Sequence, residues 1–176
     1  MRSEIRFTSV LVVLVALLGH ASIASAQAAK ADITLRDALL KNWTEIGGKI
    51  VKMAEDFPEA KYDFRPTPEV RTFADNLRHV AFWNTYVSKT LKGEKVDPKL
   101  NELPKAEYGS KAAIVKALKS SLDEATELLK KAAETPSGKV SNLWVSFIEH
   151  SGEHYGQLVV YYRLNGIVPP ASRTSN

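Results

Sequence analysis

The stretch F-I-E-H-S-G-E-H-Y-G-Q-L-V-V-Y-Y, residues 147–162, sets His150 and His154 four positions apart among apolar residues. Spacings of three and four run through Leu143, Phe147, Ser151, Leu158 and Tyr162, so the stretch reads as an amphipathic helix with both histidines on its inner arc. At that spacing two imidazoles project from one face with β-carbons about 5–6 Å apart. Two ring nitrogens can then meet one ion at about 2.0–2.1 Å, and a third ligand from another helix completes a His₃ set with a coordination position to spare. His79 is the one histidine left for that place once His20 is assigned to an export signal.

Working outward, this helix is expected from about Ser141 to Asn165, with Gly166 suited to a left-handed C′ position and Pro169-Pro170 forbidding continuation. Three further helices carry the same period. The first spans about Leu35 to Phe57, entered through Thr34 and Asp37 in the pattern of a capping box and ended by Pro58. Gly47-Gly48 inside it marks either a kink or a close helix crossing that a β-carbon would block. The second runs from about Thr72 to Leu91 with His79 beside its apolar stripe, and the third from about Lys111 to Glu134, capped by Ser110. The polar connection 93–109 is long for a helix–helix link and reads as a lid or a crossover strap. Four amphipathic helices of about 20 residues predict an all-α four-helix bundle with ligands converging in its core.

Arg2 and Arg6, the apolar run Val10 to Leu18 and Ala24-Ser25-Ala26 have the order of a secretory signal, with cleavage expected after Ala26. The apolar run is far short of the roughly 20 residues a bilayer span needs, so a membrane anchor is not expected. Residues 27–176 are then one domain, periplasmic or secreted, large enough to bury a core. Its net charge is about +3, with lysines interleaved with glutamates at helical spacing. That pattern is a solvated face, not a nucleic-acid stripe. The chain contains no cysteine, so it has neither disulfides nor a thiol nucleophile of its own.

Two segments carry a resemblance. D-F-R-P-T-P-E-V-R-T-F-A-D-N-L-R-H-V-A (Asp63 to Ala81) and E-H-S-G-E-H-Y-G-Q-L-V-V-Y-Y-R-L-N-G-I-V-P-P-A-S (Glu149 to Ser172) are similar to the DinB/YfiT-like family of metalloenzymes. The resemblance implies an up-down-down-up four-helix bundle that binds a divalent metal, commonly zinc or nickel, through three histidines. By position these are His79, His150 and His154. Gln157 matches the family's glutamine after H-x-G, and Arg163 with Pro169-Pro170 matches its closing signature. Relatives of this kind include thiol-dependent transferases and isomerases. Low-molecular-weight thiols are chiefly cytosolic, however, and this chain carries an export signal.

Around the histidines, Trp83, Tyr86 and Tyr155 are candidates for a pocket mouth, though core packing explains such aromatics equally well. Asp75 and Asn76, one turn before His79, are candidates to orient an imidazole. Glu149 and Glu153 lie about 100° round the helix from their neighbouring histidines and are poorly placed as general bases. Two readings stay open. One is a metal-dependent hydrolase or thiol/group transferase acting on a small molecule, possessing a His₃ ion that activates water or a substrate thiol. The other is a non-enzymatic exported bundle that binds a metal or small ligand. A homodimer is compatible with either.

Overall fold

Thr34, Thr72 and Ser110 each accept a backbone N–H from three residues ahead, and each starts a helix. The computed structural model describes residues 32–97 and 99–174; the expected signal segment 1–26 lies outside them. The helices are α1 (Leu35–Asp56), α2 (Phe73–Leu91), α3 (Lys111–Lys130) and α4 (Gly138–Leu164), with short 3₁₀ turns at Glu59–Lys61 and Pro170–Ser172. There is no strand among the described residues. No helix among them is long and apolar enough to cross a membrane.

The capping box at Thr34 is only half made. Asp37 donates its backbone N–H to Thr34, but its carboxylate turns to Arg36. The reciprocal box forms instead at Thr72 and Asp75. Helix α4 begins at Gly138, three residues before the periodicity predicts, because Ser141 N–H already bonds back to Ser137. Its first turns are held by Trp144, fully buried and edge-on to Trp43 at 5.1 Å. Gly166 adopts φ 69° as its C′ position requires.

Helix directions follow from which ends meet. Trp43 meets Trp144 while Tyr162, near the far end of α4, donates to Met53 O, so α1 and α4 run parallel. Arg36 N–H bonds Glu134 O and Lys111 Nζ bonds Phe57 O, so α1 and α3 are antiparallel. Arg78 meets Tyr108 and Lys92 meets Glu124, which makes α2 and α3 parallel. Asn76 meets Tyr161 and Trp83 meets Phe147, which makes α2 and α4 antiparallel. The result is an up-down-down-up bundle, packed in the ring order α1, α3, α2, α4. Parallel neighbours cannot be joined by a short turn. After α2, about 28 Å long for its 19 residues, the chain must return along the bundle before starting α3. The 93–109 segment is that return.

Gly47 is the close-crossing glycine: a β-carbon there would run into Leu122 Cδ1 on α3, whereas Gly48 faces open space. Two apolar clusters fill the interior. One is built on Phe57, Tyr62, Phe73, Tyr161 and Tyr162, the other on Leu39, Trp43, Val87, Leu129 and Trp144. Along α4, His150 and His154 fall between them.

Candidate metal centre

His79 comes from the middle of α2, and His150 and His154 from successive turns of α4. Antiparallel packing of these two helices brings the rings together. His79 and His154 are buried and His150 is half-buried. The Nε2 atom of His150 lies 3.0 Å from that of His79 and 3.2 Å from that of His154.

The opposite nitrogens are held by oxygens. His79 Nδ1–H donates to the Asn101 carbonyl at 2.5 Å. His154 Nδ1–H donates to Asn76 Oδ1 at 2.9 Å, shared with Gln157 Oε1 at 3.1 Å. Because the backbone and amide oxygens only accept, the proton sits on Nδ1 in both rings and the Nε2 lone pairs face inward. Converging lone pairs repel unless a proton or a cation lies between them. Ligands at 2.0–2.1 Å from one ion are about 2.8–3.4 Å apart for angles between 90° and tetrahedral, and the observed separations fall in that range. The residues therefore fit a divalent ion.

The electrostatics keep the rings ready for one. Burial, with the Arg71 cation nearby, pushes His79 from 6.5 down to about 4. Burial and the two neighbouring imidazoles push His150 down to about 3. His154 is lowered by burial as well. Neutral imidazole is the form that ligates a metal. The same shifts set a pH dependence for the metal-free protein. Unfolding returns these rings to about 6.5, so below that pH the unfolded chain binds the extra protons and stability falls until the folded values of about 4 and 3 are reached. Asp56 and Asp75 have folded values below 3.8, so their loss comes later in the acid limb. Urea unfolding of chelated protein is expected to show a falling midpoint between pH 6.5 and 4.5, with a shallower fall in His150→Ala. Equal slopes in the two proteins contradict this account.

The other residues singled out by sequence divide clearly. Asn76 and Gln157 both touch His154. Asp75 does not touch a histidine. It caps α2 and pairs with the buried Arg78, which also donates to Tyr108 O. Trp83 stacks on Phe147 at 5.6 Å and lies 6.0 Å from His150, and with Tyr86 it lines a cavity of about 560 Å³. Tyr155 packs instead on the large aromatic cluster, beneath Lys49. Glu149 and Glu153 are exposed. Sequence reasoning missed three contributors: Asn101, whose side chain also accepts from Trp83 Nε1 at 3.2 Å, Tyr161, and Arg71.

Fold and site together define an all-α four-helix bundle that brings three histidines to a point where they could hold a metal ion. The chain belongs to the DinB superfamily, whose model matches residues 43–158, a span that contains all three histidines. No curated protein matches the chain.

Proposed function

We propose that this is an exported metalloprotein in which His79, His150 and His154 bind one zinc or nickel ion, and that it acts as a metal-dependent hydrolase or thiol/group transferase. The observation that supports the reading is the convergence of three Nε2 atoms while two of the Nδ1 atoms are tied to oxygens. When bound, an ion with three protein ligands supplies an acidified water or a stabilised thiolate, and a Lewis acid for a substrate carbonyl.

The chain's own residues prepare that position. Asn101, Asn76 and Gln157 fix the tautomer and tilt of the ligand rings. Trp83 and Phe147 pack edge-on against His150 on the side towards the α4 N-terminus. Glu149 and Glu153 are exposed, and among the described residues no carboxylate joins the three histidines. That favours chemistry in which the nucleophile is already ionised, and it also gives weight to the non-enzymatic alternative, a metal- or ligand-binding bundle.

The test offers metal-loaded protein two substrate panels, esters and amides on one side and electrophiles with small thiols on the other. Turnover that is lost in His154→Ala establishes an enzyme and names its class. A coordination sphere closed by a fourth protein side chain, with no turnover in either panel, establishes the binding protein. Mass spectrometry of protein from its native compartment tests export: the expected N-terminus is Gln27, and an intact Met1 refutes cleavage.

A further inference from the structure

A second cavity, of about 630 Å³, lies between the loop before α2 and the last turns of α4, on the side of His154 away from Trp83. Its polar wall is joined to His154. Gln157 contacts His154 Nδ1 directly, and Tyr161 is linked through Asn76, whose Nδ2–H donates to the Tyr161 hydroxyl at 3.2 Å. Tyr161 in turn donates to the Arg71 carbonyl at 2.6 Å, which fixes the loop against α4. Two apolar side chains of the lining, one on the loop and one on α4, are uncovered: Val70 is 42% exposed and Val160 50%.

Arg71 lines this cavity, and its side chain is only loosely engaged, with Nε 3.4 Å from Glu102 and both groups partly exposed. Behind the Gln157 side of the cavity stand the three histidines that would hold the proposed ion. Those ligands are all neutral. Nothing among them offsets a bound cation, and Arg71 adds to the positive potential.

We propose that the cavity binds a small monocarboxylate with an apolar tail, its carboxylate on the Arg71 guanidinium and its tail across Val70 and Val160. A planar guanidinium matches a carboxylate through two parallel N–H donors. A phosphate dianion fits less well, because one guanidinium serves it and the exposed Glu69 stands on the same rim. A purely apolar ligand would take the Arg71 guanidinium out of water with only the long contact to Glu102 to replace it. As a statement of substrate class, the proposal rests on the metal-centre reading; as a statement of binding, it does not.

Calorimetric titration of full-length mature protein with octanoate, octanol and octyl phosphate tests it, in metal-loaded and chelated samples whose metal content is measured. Octanoate is expected to bind at least about tenfold tighter than octanol. Arg71→Gln should erase that preference and Arg71→Lys restore part of it, at metal contents measured for each variant. Glu102→Gln, which frees Arg71 from its counter-ion, should tighten octanoate binding. Equal affinity for octanoate and octanol, a preference for octyl phosphate, or an unaltered preference in Arg71→Gln overturns the proposal. Arg71-dependent octanoate binding by a chain that takes up no metal would refute the metal centre and leave the carboxylate site standing.

Discussion

Alanine at His79, His150 or His154 is expected to lower divalent metal affinity by more than about 100-fold, beyond the 10–100-fold typical of losing a residue that only orients a ligand. Each ring supplies one Nε2 to the same point, so removing any of them leaves two ligands and an ion no longer held in a closed corner. Asn76→Ala should fall in the intermediate range, because His154 keeps Gln157 as an acceptor when Asn76 Oδ1 is gone. Lys130→Ala, an exposed change at a surface pair with Glu127, should have no effect. Metal titration with a competing chelator measures the five variants against the wild type. Since the ion binds the folded state, it should also raise the melting temperature of the wild type and not of the three histidine variants. Equal loading across the series would remove the histidines from the metal site.

The largest loss of stability is expected from Phe73→Ala. Phe73 opens α2, is fully buried, stacks on Phe57 at 4.0 Å and meets Tyr62 edge-on at 5.2 Å. Tyr161 and Tyr162 close round it at 6.3 and 6.2 Å. Rings held by the end of α1, the loop after it and α4 cannot all collapse into the space a phenyl leaves, so the transfer and cavity costs add to about 3–5 kcal/mol. For a domain of this size that lowers the melting temperature by roughly 6–20 °C. Val145→Ala, at a position 52% exposed, should change stability by no more than about 0.5 kcal/mol. Chemical denaturation distinguishes the two, and a loss below about 1 kcal/mol for Phe73→Ala would mean that the cluster repacks.

Much of this molecule is written in local spacing. The three- and four-residue rhythm of apolar side chains predicts all four helices, because a helix buries one stripe whatever it packs against. The hydroxyls of Thr34, Thr72 and Ser110 mark where helices start, and the i,i+4 spacing of His150 and His154 puts two rings on one face before any partner is known. Membership of the DinB superfamily is likewise legible in the order of residues.

The rest depends on what lies across the bundle. Gly47-Gly48 reads as a kink or a crossing until Leu122 is seen against Gly47 alone. Asp75 looks like a partner for a histidine, yet the buried Arg78 and the cap of α2 claim its carboxylate. The acceptor for His79 is a backbone carbonyl 22 residues away, at Asn101, and a carbonyl is common to every residue and leaves no mark in a sequence. It reaches His79 only because α2 and α3 are parallel and the chain must travel back along the bundle between them. Arg71 acts through space, on rings carried by two different helices. Local spacing determined the helices and two-thirds of the histidine face; the antiparallel packing of α2 on α4, with its return strap, decided that His79 would join them and which groups would surround all three.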